Sequence, residues 1–184
     1  MSAKKRKRHL VYLFIFIVIV FYMIRPRYNP DPALVGSKED FIETYAPLAM
    51  EVADRYDLIP SVVLAQAAVE SNYGESELAK TYNNYFGIKG SGEHSVVLPT
   101  KEIIDEKEQS VSDGFRTYDS PRESFFDYGK LIASAPRYAS VREATTKEAY
   151  AEALYPAGYS TNPRYGEILL QTIAAHQLDR YDTK

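Results

Sequence analysis

The chain of 184 residues has no cysteine, no tryptophan and only three histidines. Without cysteine it cannot form a disulfide, a thiolate-bound zinc site or a thiol nucleophile. The histidines stand at positions 9, 94 and 176, so their spacing indicates no metal-binding cluster. Aromatic residues are abundant instead, with 16 tyrosines and 8 phenylalanines, and we expect most of these rings to pack in a core.

Basic residues are scarce outside the N-terminus. The chain has 22 Lys and Arg against 25 Asp and Glu, but seven of the cations lie within residues 1–27, where there is no acid. The rest of the chain therefore carries a net charge of −10. Because nucleic-acid-binding domains are usually basic, we expect no nucleic-acid partner.

The N-terminus predicts a membrane anchor. Five consecutive cations at residues 4–8 precede an unbroken apolar run over residues 10–24. As a helix this run reaches about 22 Å of a hydrocarbon core of about 30 Å, and flanking arginines can extend the reach by snorkelling. No small-residue cleavage site follows, so we favour an uncleaved anchor at residues 9–25 over a cleaved signal peptide, and both over a buried core helix. The positive-inside rule places residues 1–8 in the cytoplasm and the domain outside, so we expect a single-pass protein of the cell membrane.

Residues 26–36 contain three prolines and predict a spacer between the anchor and one domain at residues 37–184. If it is stiff and extended, this spacer holds the domain up to about 37 Å from the membrane. A poorly ordered linker without a spacing role is an equally good interpretation of the same residues.

Helical signals dominate the domain. Ser37 begins a capping box, followed by an apolar face that ends near Tyr56. Pro60 suits the first turn of a second helix, which is apolar nearly all round to residue 71 and should be buried. Further helices are expected to open near residues 121, 146 and 163, each behind a capping residue or a proline.

Glu70 stands out because it is a carboxylate near the end of the buried second helix, on one face with Gln66. Desolvation and the negative end of the helix dipole should both raise its pKa, which favours the protonated form that a general acid needs. The residues alone leave an equal alternative, a buried glutamate satisfied by a backbone or tyrosine partner.

A loop and a β-hairpin interrupt the helices. Residues 81–93 are rich in Asn, Gly and aromatics and predict a loop. Residues 96–104 and 111–118 predict two antiparallel strands with the turn near residue 106. We therefore expect a mainly α (α+β) domain with a small β-hairpin lobe. Aromatic rings beside amides and carboxylates suit sugar binding, although core packing explains any single ring equally well.

The segment LAQAAVESNYG at residues 64–74 resembles the catalytic helix of glycoside hydrolase family 73, the peptidoglycan-cleaving N-acetylglucosaminidases. The resemblance continues in order over residues 37–180, through YFGIK, TKE, FRTY, SFFDY, PRY and AGYSTNPRY. It implies a lysozyme-like fold with a groove for a glycan strand between the helical lobe and the hairpin. One departure is Tyr73, where the family often has tryptophan; tyrosine can still stack on a sugar.

The family's functional residues map onto this sequence by motif. The resemblance implies that Glu70 is the general acid and that Glu102, on the hairpin, is the second carboxylate. One of the tyrosines of the last motif is expected to orient the substrate or stabilise the transition state; we assign Tyr159, with Tyr165 as the open alternative. The substrate-binding residues that the resemblance implies are Gln66, Tyr73, Asn84, Phe86, Tyr118 and Tyr165.

Two reaction routes fit these residues. Glu102 can activate a water molecule and invert the anomeric centre, or the 2-acetamido group of the substrate can attack. Neither route needs a metal or an organic cofactor.

The expected function is that of a membrane-anchored endo-β-N-acetylglucosaminidase. It would cut the GlcNAc–MurNAc bond of peptidoglycan glycan strands close to the membrane, in wall remodelling or strand release. A membrane-protein partner could position the anchored domain there. The alternatives are an N-acetylmuramidase or lytic transglycosylase, and a non-catalytic wall-binding scaffold.

Overall fold

The computed structural model describes residues 28–104 and 107–182, without the side chains of residues 101–104 and 108. The predicted anchor at residues 9–25 and the basic tail before it lie outside the described residues. Within the described ranges, no helix has both the length and the apolar character needed to cross a bilayer.

The described chain is mainly helical with one two-stranded sheet, as the sequence predicted. The helices are α1 (Lys38–Tyr56), α2 (Pro60–Glu70), α3 (Glu77–Tyr82), α4 (Pro121–Ser134), α5 (Ala139–Arg142), α6 (Lys147–Leu154) and α7 (Tyr165–Ala175). Short 3₁₀ turns occur at Pro32–Leu34, Pro136–Tyr138 and Leu178–Tyr181.

Local capping signals set most of the helix starts. The Ser37 hydroxyl accepts from the Asp40 amide at 3.1 Å, and Ser120 and Thr146 cap α4 and α6 in the same way. At the other end of α1, Asp57 takes a left-handed conformation with φ of 54° and reverses the chain into α2. The predicted starts of these helices are confirmed.

Helix α2 forms the centre of the core. All residues from Ser61 to Ala68 are buried, because α1 and α7 cover different sides of the helix. Helix α4 in turn packs closely on α1: a Cβ at Gly129 would lie 2.4 Å from the Tyr56 ring, so only glycine allows this approach. Glu70, the last residue of α2, therefore emerges at the edge of a rigid core.

The hairpin pairs β1 (Ser95–Ile104) with β2 (Lys107–Arg116) in an antiparallel register that sets Ser95 opposite Arg116. Strand β2 begins four residues earlier than predicted, because its first part is polar and lacks the alternation that marks a half-buried strand. Helix α3 was not predicted; its main sequence signal is Ser76, whose hydroxyl accepts from the Ala79 amide.

The described part of the predicted spacer packs on the domain instead of extending away from it. The Tyr28 hydroxyl donates to the Thr44 carbonyl at 2.7 Å, and Arg122 donates to the Tyr28 carbonyl at 2.8 Å. The 3₁₀ turn that follows is capped by Asp31. Because the chain is already attached to the domain at Tyr28, it can hold the domain less far from a membrane than a segment extended over residues 26–36 could.

Candidate active site

The candidate site is built around Glu70, which is half-buried at the C-terminal end of α2. Tyr165, the first residue of α7, donates its hydroxyl hydrogen to Glu70 Oε1 at 2.6 Å. The bond exists because α7 packs against α2, bringing together two residues 95 positions apart. The tyrosine partner foreseen for a purely structural glutamate is thus present, but the carboxyl group itself is not fully buried.

A chain of buried polar groups continues behind Tyr165. The Gln66 amide nitrogen donates to the Tyr165 oxygen at 3.3 Å, and the Tyr128 hydroxyl donates to Gln66 Oε1. Tyr128 in turn lies 3.0 Å from the Tyr150 hydroxyl. Gln66 is 0% exposed, and its described side-chain bonds are to Tyr165 and Tyr128, so it lies behind the site. Contact of Gln66 with the substrate stays a prediction.

Tyr159 forms a second layer beside Tyr165. The two rings stack at 5.7 Å between centroids, and the Tyr159 hydroxyl donates to the Phe86 carbonyl at 3.0 Å. Burial, and then the negative charge of Glu70, raise the pKa of both phenols well above the ordinary value. Both hydroxyls therefore stay protonated near neutral pH, where they act as hydrogen-bond donors rather than as bases.

The loop at residues 83–90 lays its backbone beside the carboxyl group. Asn84, 1% exposed, holds this loop: its amide nitrogen donates to the Ile88 and Arg116 carbonyls, and its oxygen accepts from the Phe86 and Ile88 amides. Gly87 follows with φ of 61°, and a Cβ there would lie 3.6 Å from Glu70 Oε2. Glycine thus permits both the left-handed turn and a close approach of the loop to the Glu70 carboxyl group.

Phe86 and Tyr118 occupy different positions around this loop. The Phe86 ring is 2% exposed and stacks on Tyr128 at 4.1 Å, so its described contacts belong to the core. Tyr118 is only partly buried and donates to Asp127 at 2.7 Å, beside the Arg116–Asp127 ion pair. It lines an open cavity of about 410 Å³ at the base of the hairpin.

Tyr73 lies apart from the Glu70 cluster. Its backbone is left-handed, with φ of 55°, and this turns the ring toward Phe41 and the far end of α7. The hydroxyl pairs with His176 Nε2 at 2.9 Å, and the Lys38 ammonium group lies 4.5 Å from the ring centroid. Contact of Tyr73 with a sugar stays a prediction.

Glu102 lies on β1, opposite Gln109 in the hairpin register. This places the residue on the lobe that the resemblance assigned to the second carboxylate. Its side chain is outside the described part of the structure, so its catalytic role stays a prediction.

The structure joins Glu70, Gln66, Tyr159 and Tyr165 in one cluster with the loop of Asn84 and Phe86. Sequence reasoning missed Tyr128 and Tyr150 as members of this cluster. Both are buried at helical spacing, which is also the pattern of ordinary core residues, so no local signal marked them.

Comparison with known proteins places the chain in a family. The family model "Mannosyl-glycoprotein endo-beta-N-acetylglucosaminidase" matches residues 46–178. Exo-glucosaminidase LytG of Bacillus subtilis (strain 168) is 30% identical over 99% of this chain and 70% of its own length. A probable N-acetylmuramidase of Lactococcus lactis subsp. lactis (strain IL1403) is 38% identical over 82% of this chain, which spans only 36% of that protein.

A solved structure supports the same fold and family. The catalytic domain of the autolysin Auto from Listeria monocytogenes superposes with a TM-score of 0.67 at 31% identity, over 99% of this chain and 98% of that domain. The predicted lysozyme-like glycoside hydrolase fold is therefore confirmed. The chain belongs to the mannosyl-glycoprotein endo-beta-N-acetylglucosaminidase family, glycoside hydrolase family 73, and is a glycoside hydrolase.

Proposed function

We propose that this protein cleaves the GlcNAc–MurNAc bond of peptidoglycan as an endo-β-N-acetylglucosaminidase, with Glu70 as the general acid. The observation that carries the proposal is the carboxyl group of Glu70, set at the end of a buried helix and held by the Tyr165 hydroxyl. The names of the relatives, a glucosaminidase and an autolysin among them, support this substrate class.

The reaction begins with proton transfer from Glu70 to the glycosidic oxygen. As the bond breaks, positive charge develops on the sugar ring and the carboxylate of Glu70 is left behind. The hydrogen bond from Tyr165 stabilises this carboxylate, because a donor to the charged form favours that form. Burial raises the pKa of the nearby phenols of Tyr159 and Tyr165, which makes them weaker acids, so they do not compete with Glu70 for the role of acid.

Two routes are proposed for the attack on the anomeric carbon, and they differ in the configuration of the product. In one, Glu102 activates water and the product has inverted configuration; in the other, the 2-acetamido oxygen of the substrate attacks and the configuration is retained. Proton NMR of the newly formed anomer, recorded within the first minutes of digestion, distinguishes them. If the wild type retains the anomeric configuration and Glu102→Gln loses activity, Glu102 would be assigned to orienting the acetamido group instead.

The test of the cleaved bond is a digest of purified peptidoglycan with the full chain, its Glu70→Gln variant and the matched control Glu77→Gln. Glu77 is an exposed glutamate at the start of α3, so its amide should leave activity unchanged. After borohydride reduction, mass spectrometry should find reduced N-acetylglucosamine ends with the wild type and the control, but not with Glu70→Gln. No products with folded wild-type protein would favour the wall-binding scaffold.

Two observations favour alternative specificities. The similarity to a probable N-acetylmuramidase favours cleavage of the other glycosidic bond, which would give reduced muramic ends, or anhydro ends for a transglycosylase. The similarity to an exo-glucosaminidase over nearly the whole chain favours cleavage from strand ends. Exo-action releases small products from the start of a time course, whereas endo-action first shortens the strands.

We also propose that residues 9–25 anchor the protein in the cell membrane, with the domain on the wall side and a membrane protein as a possible partner. The support is the cationic and then apolar N-terminal sequence, followed at once by the attachment of Tyr28 to α1 and α4. Replacement of Ile17 and Ile19 by arginine should move the protein from the membrane fraction to the soluble fraction. A wild-type protein found only in the soluble fraction would contradict the anchor.

A further inference from the structure

We infer that Tyr150, Tyr128 and Gln66 form a hydrogen-bond relay in which every bond points toward Glu70, so that the Tyr165 hydroxyl always donates to Glu70 Oε1. The relay thereby determines which oxygen of the Glu70 carboxyl group carries the catalytic proton. The inference rests on the proposed role of Glu70 as the acid. It assigns positioning roles to three residues that are buried behind Glu70.

The direction of the relay follows from Glu70 outward. An ionised carboxylate only accepts hydrogen bonds, so the single proton of Tyr165 must point to Glu70 Oε1, 2.6 Å away. The Tyr165 oxygen can then only accept from Gln66, so the amide nitrogen of Gln66 faces it, at 3.3 Å.

The same logic continues to the end of the relay. With its nitrogen used, Gln66 presents Oε1 to Tyr128, whose only proton must therefore be donated to it. The remaining bond, 3.0 Å between Tyr128 and Tyr150, must then be donated by Tyr150. Every bond in the series points toward Glu70, and such aligned bonds strengthen one another in a buried site.

Burial makes the direction of these hydrogen bonds hard to reverse. Gln66, Tyr128 and Tyr150 are 0–1% exposed, so no exposed surface lets water replace a missing partner. The Tyr128 ring is also fixed by stacking on Phe86 at 4.1 Å. If the Gln66 amide turned over, its oxygen would face Tyr165 and compete with Glu70 for the Tyr165 proton. Tyr128 prevents this because it holds the Gln66 oxygen on the opposite side.

The consequence lies in the protonated acid. A carbonyl oxygen is a better acceptor than the hydroxyl oxygen of a carboxylic acid, so the oxygen bonded to Tyr165 stays the carbonyl oxygen and the proton resides on Oε2. Oε2 is the oxygen on the side of the Gly87 loop, where a Cβ on Gly87 would lie 3.6 Å from it. The relay thus presents the acidic proton at one defined atom.

The test uses Tyr128→Phe in the full chain, with Tyr45→Phe as the matched control. Tyr45 also makes a buried tyrosine–tyrosine hydrogen bond, to Tyr85 at 2.5 Å, but no described bond connects that pair to Glu70. Each variant thus loses one buried hydroxyl, and only one of them breaks the relay.

In Tyr128→Phe, kcat on soluble, uncross-linked glycan strands should fall about tenfold, the rate equivalent of one hydrogen bond, with KM almost unchanged. Because Glu70 loses part of the stabilisation of its charged form, its pKa should rise and the alkaline limb of the pH–rate profile should move upward. Tyr45→Phe should show neither change. Equal kcat and equal pH limbs in the two variants would overturn the relay.

A readout independent of activity separates the relay from the proposed function. The ¹³C carboxyl signal of Glu70, assigned by its loss in Glu70→Gln, should titrate at higher pH in Tyr128→Phe than in the wild type. This shift tests the relay even if the wild type cuts no glycan, an outcome that would overturn the proposed function alone. An unchanged titration would overturn the relay, whatever the activity.

A second variant, Gln66→Glu, probes direction. An ionised carboxylate at this position accepts the Tyr165 proton and diverts it from Glu70, so kcat should fall further than in Tyr128→Phe although the side chain is nearly isosteric. Wild-type kcat in this variant would contradict the inferred direction. If Gln66→Glu fails to fold, Tyr150→Phe takes its place and should reproduce the pH shift of Tyr128→Phe in weaker form.

Discussion

Tyr165 and Glu70, 95 positions apart in sequence, are joined by a hydrogen bond of 2.6 Å between the phenol oxygen and Oε1. The bond connects the first turn of α7 to the last residue of the central helix α2. It also distinguishes the two tyrosines of the last sequence motif, because the hydroxyl of Tyr159 donates to the Phe86 carbonyl instead. Tyr165 therefore contacts the proposed acid directly, whereas catalysis by Tyr159 stays a prediction.

Tyr165→Phe should lower kcat by about 10- to 100-fold, the rate equivalent of a hydrogen bond to a charged group. Tyr159→Phe should have a smaller effect, because it loses a bond to a loop carbonyl rather than to the acid. Steady-state kinetics of both variants on soluble glycan strands check this order. A larger loss in Tyr159→Phe would instead support direct action of Tyr159 on the sugar, as the resemblance implied.

Alkaline pH should destabilise the fold through its buried phenols. Burial raises the pKa of Tyr128, Tyr159 and Tyr165 well above 10.0 in the folded state. Above about pH 10 the unfolded chain releases these protons and the folded chain keeps them, so the free energy of unfolding should be constant below pH 9 and fall steeply above pH 10. Urea unfolding at several pH values, with tyrosinate absorbance recorded in parallel, measures this. Equal stability at pH 8 and pH 11 would contradict it.

Much of the architecture was predictable because its signals are local. Ser37, Pro60, Ser120 and Thr146 each mark a helix start within three residues of themselves, and all four starts agree with the structure. Glu70 could be singled out as a carboxylate on an otherwise apolar helix. The resemblance then supplied the chemistry, which the residues alone left balanced against a structural role.

The partners of Glu70 were not predictable from local pattern. Tyr128 meets Gln66 across 62 positions and Tyr165 meets Glu70 across 95, so only the packing of α4 and α7 on the core brings them together. A buried tyrosine that ends a polar relay has the same spacing as one that fills the core. The packing of Tyr28 on α1 was missed for a similar reason, since a proline-rich segment gives no sign of a distant contact.

Asn84 should be among the most important residues for loop stability. Asn84→Ala removes four described hydrogen bonds in a site that is 1% exposed, and should lower the free energy of unfolding by about 2–4 kcal/mol. Asn84→Asp keeps the acceptor but turns an oxygen toward two carbonyls, so it should be no better. The control is Asn162→Ala, which loses one exposed hydrogen bond, the one that Asn162 accepts from the Arg164 amide. Equal losses in urea unfolding would show that Asn84 does not hold the loop.

Asp182 should stabilise the helix that carries Glu70, from its opposite end. No side chain caps α2 from Ile59, its N-cap residue; instead the Asp182 carboxylate accepts from the Ser61 amide at 2.8 Å and the Ser61 hydroxyl at 2.7 Å. A carboxylate at a helix N-terminus satisfies free amides and complements the helix dipole. Asp182→Ala should therefore lower the free energy of unfolding by about 1–2 kcal/mol.

The matched control for this prediction is Asp179→Ala. Asp179 is 56% exposed and lies 3.5 Å from the Lys147 ammonium group, so its loss should cost less than about 0.5 kcal/mol. Because α2 stays folded below the transition, kcat should be unchanged in Asp182→Ala while the melting temperature falls. A fall in kcat at temperatures where the variant is fully folded would mean that this end of α2 also sets the position of Glu70. Equal melting temperatures for the two variants would show that Asp182 does not cap the helix.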